Sequence, residues 1–509
     1  MRAIPFKNSK IAYFWGVLIV FLAIYSYFGA QHAVPSYNVE TDFVGSYGLD
    51  AQNILHGKMV QEQDHGPLYA ITVAALAVLI GDVFHAGIVL SILSAIFLGI
   101  GLYLILRVLY NFRIAFFSML LLYIVLLPYS FVVGLDIFFA MLFIFSIYFF
   151  IRSPELNRKA LLLSGFFSGL AFMVRYLAVI LPIAAFFIIF WGEYRFSLRE
   201  KISKYILFLI PIGIFMIPWY FISRTIRPEF SAPGLSAAMA WDFYGPGTPF
   251  GGDERRLVDP RFYSVISVIT YNFKHFVFHY LYNIVDRFQK FSVYALKFPA
   301  YYFFVPGLVL VFLKSTKRQV VLFSYPIIGF LILCLVNYIN RYYLFLFPFV
   351  IFWIVFFFFV DLDLKSPLSD LFSYRNFGIV LYLLTALFLF RTSYGESKVI
   401  IQKEPRELLS VAHFLQGIKH NSDKIIERKP NLAFLAGLKD EFFPKFNSLD
   451  KLIAYAKRKH ARFILYGPIE ARMRPELNEL YQKQYSYPGI KQIYFSKNPK
   501  LILYEIVGQ

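Results

Sequence analysis

Apolar runs too long for the core of a soluble domain recur along most of this chain. They lie at 11–30, 84–106, 113–130, 137–151, 160–174, 177–191, 204–222, 297–313, 319–337, 342–360 and 376–390. Each approaches the roughly 20 residues that carry a helix across a bilayer. In hydrocarbon every backbone polar group must be satisfied within its own segment, so a chain of this pattern is committed to a bundle of spanning helices. The composition agrees: of 509 residues, 59% are hydrophobic and 16% charged. Those proportions exclude a soluble enzyme, a disordered chain and a disulfide-stapled module. Cys334 stands alone inside an apolar run, which leaves no cysteine-based metal site. The net charge of +19 suits basic cytoplasmic loops and does not call for nucleic acid as a partner.

Charge placement orients the bundle. The first apolar run follows Arg2, Lys7 and Lys10, is too long for a signal peptide and has no small-residue cleavage site after it. It is expected to be an uncleaved anchor with a cytoplasmic N-terminus. The stretch 67–81 (PLYAITVAALAVLIG) is apolar but short. If it does not span, Arg107 and Arg113, Arg152 to Lys159, Arg195 to Lys204, Lys314 to Arg318, and Lys365 with Arg375 all fall on one side. Eleven spans result, with 31–83, 131–136, 223–296 and everything after 391 on the far side. The expected domains are therefore 1–391 in the membrane and 392–509 outside it. The tail carries 20 Lys/Arg against 12 Asp/Glu and has no run long enough to span. ELLSVAHFLQGI and LDKLIAYAKRKH have helical spacing, and ARFILYG, IKQIYFS and LILYEIV read as strands, so a small α/β domain is expected there.

Ionisable groups at or beside the membrane are costly, which makes each a functional candidate. The first external loop holds Glu40, Asp42, Asp50, His56, Glu62, Asp64 and His65. Asp136 stands alone at the external start of the fourth span, where it is either a helix cap or part of a site. Arg175, Arg224, Arg227 and Arg341 lie on the external side, against the positive-inside trend. A guanidinium matches phosphate geometry, so several of them beside carboxylates at one face suggest an anionic lipid headgroup met by an acid/base group. The third loop, WDFYGPGTPFGGDERRLVDPRFY, is long and irregular. The segment 262–290 after it reads as an amphipathic interfacial helix with His275 and His279 four apart, more often a bland pair than a metal site.

The order of these features is specific. One span is followed by a carboxylate-bearing loop, a Pro-Leu-Tyr entry and two spans ending in a lone Asp. Then come G165-FFS-G169-L170-A171-FMV-R175-Y176 and a late R341-Y342-YLFLF-P348, and the tail adds K429-P-N-L-A-F and A461-R-F-I-L-Y. The whole resembles the GT-C superfamily of polyprenyl-phosphate-sugar-dependent glycosyltransferases, in the branch of bacterial relatives of protein O-mannosyltransferases and the lipid A aminoarabinose transferase. That resemblance implies a mostly α, polytopic GT-C membrane domain of about eleven spans with interfacial helices and an extramembrane α/β domain. It implies transfer of a sugar from a polyprenyl-phosphate donor to an acceptor hydroxyl on a protein, glycolipid or envelope polymer. The setting would be the outer face of a bacterial inner membrane, with the C-terminal domain periplasmic.

Residue by residue, the resemblance makes Asp42 the acceptor base or orienting group and Asp136 an acid near acceptor or metal. It sets Arg175, Arg341 and Tyr342 toward the donor phosphate. Asp64 and His65 occupy the place of a polar ligand to that phosphate or to a divalent metal ion, the candidate cofactor. The chain departs from the common pattern where Asp42-Phe43 replaces Asp-Glu and Gly66-Pro67 replaces Pro-Pro. Such a donor is already activated. Its transfer passes through an oxocarbenium-like state and needs a carboxylate for the acceptor proton and positive charge on the leaving phosphate. A single base without a covalent nucleophile predicts inversion. The rival reading is a transporter or flippase of a lipid-linked saccharide, which would place carboxylates near the midplane of several helices.

Overall fold

The computed structural model describes the chain apart from residues 1–7, 38–39, 61–64, 154, 193–195, 227–232, 246–261, 315–316, 361–373, 421, 445, 447, 483–484, 498–499 and 508–509. Helices α1 (Asn8–Gln31), α2 (Gly48–Leu55), α3 (Leu68–Ile80), α4 (Val83–Leu109), α5 (Phe112–Leu126) and α6 (Leu135–Arg152) come first. They are followed by α7 (Arg158–Phe172), α8 (Ile180–Trp191), α9 (Leu198–Ile226), α10 (Pro233–Tyr244), α11 (Val265–Tyr271) and α12 (Phe273–Lys290). Helices α13 (Ala300–Lys314), α14 (Val321–Leu333), α15 (Phe347–Phe359) and α16 (Tyr374–Gln402) complete the helical body.

Among the described residues, seven helical stretches are long and apolar enough to cross a membrane: Lys10–Gln31, Val83–Leu109, Phe112–Tyr129, Leu135–Arg152, Leu198–Ser223, Asn340–Phe359 and Phe377–Ile418. The protein is a multi-pass membrane protein. Helices α7, α8, α13 and α14 occupy the other four expected positions but have only 15, 12, 15 and 13 residues. Such lengths rise about 18–23 Å, short of a hydrocarbon core of about 30 Å. The stretch 67–81 forms the short helix α3, stopped by Gly81 in the left-handed conformation (φ 89°). It packs on α2 and α4, and Val78 and Leu79 at its far end are exposed.

The bundle is layered. Helix α4 lies against α5 and α6, α6 against α7, and α7 against α9, while α13 packs on α15 and α15 on α5. Small residues set the closest approaches: a side chain at Gly165 would meet the Phe208 carbonyl at 2.1 Å, and one at Gly307 the Trp353 carbonyl at 2.1 Å. The segment 262–290 is two helices, α11 and α12, broken at Asn272, whose side chain accepts the His275 N–H and so starts α12. The described part of the third loop stops at Gly245 and resumes at Phe262, so most of the Gly/Pro-rich stretch lies outside the described residues.

Beyond the bundle stand α17 (Glu407–Ile418), β1 (Lys424–Glu427), α18 (Asn431–Ala436), β2 (Lys439–Phe442), α19 (Leu449–Arg458), β3 (Phe463–Tyr466), α20 (Pro468–Met473), β4 (Ile490–Lys497) and β5 (Lys500–Ile506). The strands form one sheet in the order β2-β1-β3-β5-β4. Strand β1 is parallel to β2 and β3, and β5 is antiparallel to β3 and β4. Its two faces bury separate cores, one around Leu452, Ile464 and Ile502, the other around Leu415, Phe463 and Leu503. Helix α16 runs through residue 391 to Gln402. The fall in hydropathy there does not end the helix, which is continuous across the expected boundary.

Candidate active site

The site is assembled from four separated stretches of chain. Asp42 precedes a π-helical turn, Phe43–Tyr47, and makes no capping bond, so its carboxylate is left for other partners. Asp136 sits in the first turn of α6, but the N-cap is Gly134 in extended conformation. The carboxylate is therefore not the cap. Arg175 is the extended residue between α7 and a 3-10 turn, Tyr176–Val179. Arg341 and Tyr342 belong to a second 3-10 segment, Asn340–Leu346, that leads into α15.

These residues converge. Arg175 donates through Nη1 to Asp136, and Arg341 donates through Nη2 to Asp42. Arg341 Nε also lies 3.6 Å from Asp136 Oδ2, so one guanidinium joins both acids. Tyr342 meets both cations, with the Arg175 guanidinium 4.0 Å and that of Arg341 5.6 Å from its ring centroid. Cation–π contacts of this kind are worth about 0.5–2 kcal/mol and help hold both cations beside the acids. Exposure divides the roles: the side chain of Asp42 is 46% exposed and that of Asp136 only 9%. All five of the expected residues Asp42, Asp136, Arg175, Arg341 and Tyr342 thus share one cluster.

His65 stands at its edge, its ring 5.1 Å from Tyr47 in an edge-on contact. Burial, then Arg175 and Arg341, push the imidazole down to about 3, so it is neutral at physiological pH. It can give or take one hydrogen bond to a phosphate but brings no charge. With Tyr47, Asp50 and Tyr69 it lines a shallow recess no larger than a water molecule would fill. The neighbouring Gly66 is forced: a Cβ there would sit 2.2 Å from the Met173 carbonyl, which accepts the Leu68 N–H at 2.9 Å. This contact locks the His65 turn to the turn that carries Arg175.

Asp64 and Arg227 lie outside the described residues. Among the described residues no three His, Cys, Asp or Glu side chains converge as a metal site. His65 faces two guanidinium groups, and both acids of the cluster are already paired with arginine. Of the two candidate metal ligands, only His65 is among the described residues. His275 and His279 stack at 5.8 Å, and His275 Nε2 donates to the Phe243 carbonyl at 2.8 Å. Their setting is structural: Asp242 ties α10 to α12 through Arg287 at 2.8 Å and Asn283 at 2.6 Å.

Sequence reasoning did not single out a second buried set beside the cluster. Glu40, His32 and Glu404 are buried together, with His32 Nε2 2.8 Å from Glu40 and Nδ1 2.7 Å from Glu404. The only sequence signal was Glu40's membership of the acidic first loop. The C-terminal domain also reaches the Asp42 segment: Phe434 of α18 packs on Phe43 at 5.7 Å, and Asn431 Nδ2 donates to the Pro35 carbonyl at 2.7 Å.

Comparisons with known proteins agree with this architecture. The family model described as dolichyl-phosphate-mannose-protein mannosyltransferase matches residues 64–221, just under a third of the chain. No curated protein sequence matches it. Among solved structures, ArnT from Cupriavidus metallidurans bound to undecaprenyl phosphate superposes with a TM-score of 0.61 at 12% identity, covering 97% of each chain. The oligosaccharyltransferase AglB from Archaeoglobus fulgidus, in complex with an inhibitory peptide and a dolichol-phosphate, gives 0.56 at 12% identity over 97% of this chain and 74% of its own. The chain has a GT-C-like membrane fold, and over residues 64–221 it is similar to the mannosyltransferase family model.

Proposed function

We propose that this protein moves a sugar from a polyprenyl-phosphate donor to an acceptor hydroxyl, with inversion, at the outer face of a bacterial inner membrane. The observation that carries the reading is the Asp42–Arg341–Asp136–Arg175 cluster around Tyr342. Asp42, the exposed acid, takes the proton of the acceptor hydroxyl as that oxygen attacks the anomeric carbon. Arg341 and Arg175 supply fixed positive charge to the phosphate that leaves. Buried Asp136 holds both guanidinium groups in place. His65 offers one neutral hydrogen bond at the rim, and no step is routed through a metal.

The bound lipids of the two structural neighbours support the donor class: undecaprenyl phosphate in ArnT and a dolichol-phosphate in AglB. The acceptor is a protein, glycolipid or envelope polymer. The N-terminus is cytoplasmic and the sheet domain periplasmic, on the side of Asp42 and Asp136. A flippase is disfavoured because the charges gather at one end of the bundle. The test is to reconstitute the full chain in lipid nanodiscs with radiolabelled undecaprenyl-phosphate sugars and measure free undecaprenyl phosphate. Its release with sugar transferred or hydrolysed supports the reading, and movement of intact donor between leaflets without release overturns it.

A further inference from the structure

A third carboxylate links the two segments that carry the acids of the site. Glu40 is fully buried, two residues ahead of Asp42. Its Oε1 accepts the backbone N–H of Val133 at 2.7 Å, three residues ahead of Asp136, and its Oε2 accepts that of Ser36 at 2.6 Å. Its Oε1 also meets His32 Nε2 at 2.8 Å, and the other ring nitrogen of His32 meets Glu404 Oε1 at 2.7 Å. Glu404 in turn accepts Ala33 N–H at 3.3 Å and Arg406 Nε–H at 3.0 Å, and Arg406 closes the circuit on the Gln31 carbonyl at 2.9 Å. His32, Glu40 and Glu404 are out of water while Arg406 lies at the surface, and among the described residues the side-chain bonds of Glu40 run to backbone or to His32.

We propose that Glu40 is a positioning residue that sets the spacing of Asp42 and Asp136, and that the His32–Glu404 bridge ties this spacing to the arm leading into the sheet domain. The inference rests on the transferase reading of the site. Arg341 joins the two acids in the free protein, but in the proposed reaction that guanidinium turns to the donor phosphate and its hold on them slackens. Glu40 does not touch substrate, so its link between the two acid-bearing segments persists through the reaction. Charge-assisted bonds in a dry site are strong and directional, which is what such a link needs. Misplacement of a reacting group by about 1 Å costs on the order of 100-fold in rate.

Glu40→Gln is the test. It keeps the shape but gives up an acceptor oxygen, so one of the Val133 and Ser36 amides loses its partner. In nanodiscs with the labelled donor, kcat is expected to fall at least about tenfold while the donor Kd stays within about twofold. In an Asp42→Asn background the same change should add less than about twofold, because Glu40 acts through Asp42. Full additivity, an unchanged kcat, or donor binding lost in step with kcat each overturns the proposal. Amide hydrogen exchange on the same variant decides it without turnover. Exchange should quicken at 41–47 and 130–136 and stay as in the parent across the sheet domain. No change at these segments, or faster exchange throughout, overturns it. A parent that releases no undecaprenyl phosphate refutes the transferase reading alone, and the exchange result still decides the positioning of the two segments.

Discussion

Arg175 and Asp136 should behave as one unit, and a double-mutant cycle measures it. Their side chains are 10% and 9% exposed, so removing either leaves a charge in a poorly solvated place, which typically costs about 3–5 kcal/mol. Arg175→Met also gives up the 4.0 Å stack on Tyr342, worth about 1–2 kcal/mol. Arg341, 3.6 Å from Asp136, offsets part of that loss, so about 3 kcal/mol is expected. Asp136→Leu leaves two arginines beside one ring with Asp42 as their remaining acid in the cluster, and about 4 kcal/mol is expected. The double variant replaces the pair by apolar groups of similar bulk and should lose only about 1 kcal/mol. Unfolding of all four proteins in nanodiscs at one scan rate gives the coupling, which on these values is about 6 kcal/mol. Turnover should not recover with stability: each single and the double lose about 100- to 1000-fold, since the charge for the departing phosphate is gone. Additive losses of stability within about 0.5 kcal/mol would refute the pairing.

Further outcomes follow from the same structure. Burial alone would lower the His32 imidazole, but Glu40 and Glu404 outweigh it and raise it to about 9. Its stabilisation is therefore complete below the ordinary histidine value of about 6.5 and lost as pH rises through about 9, up to about 3 kcal/mol in all. Unfolding temperatures measured from pH 6 to pH 10 should fall over that window, and Glu404→Gln should flatten the fall. Gly66→Ala must push the His65 turn off the Met173 carbonyl, so stability should drop by about 2 kcal/mol and turnover with it, read by unfolding and donor release. Because two arginines supply the charge, EDTA at millimolar level should leave donor release unchanged, and a loss restored by Mg²⁺ or Mn²⁺ would contradict that assignment.

Most of the bundle was legible because hydrocarbon allows so few structures. Apolar length alone placed all eleven helix positions, though not which would fall short: α8 and α14 read as full apolar runs but are trimmed by a 3-10 turn before Ile180 and by the turn at Cys334. Asp136, Arg175 and Arg341 were legible for the opposite reason, as charges stranded at apolar helix ends. Their pairing was not, because it depends on how distant loops pack. The His32–Glu404 contact spans 372 residues and leaves no local pattern. Strands β1 and β2 have four residues each, too short for an alternation to show, and KDEF at the sheet edge is largely polar. Helix α17 was read correctly to the residue because its apolar spacing is intact and it packs on the sheet.

The central claim is that Asp42 is the acceptor base of a polyprenyl-phosphate sugar transferase. Parent and Asp42→Asn proteins in nanodiscs, given radiolabelled undecaprenyl-phosphate sugars, test it most directly. The account predicts donor turnover by the parent and a loss of about 100- to 10,000-fold in Asp42→Asn, with donor affinity retained. Turnover by Asp42→Asn at the parental rate, or no donor consumed by the parent, would contradict it.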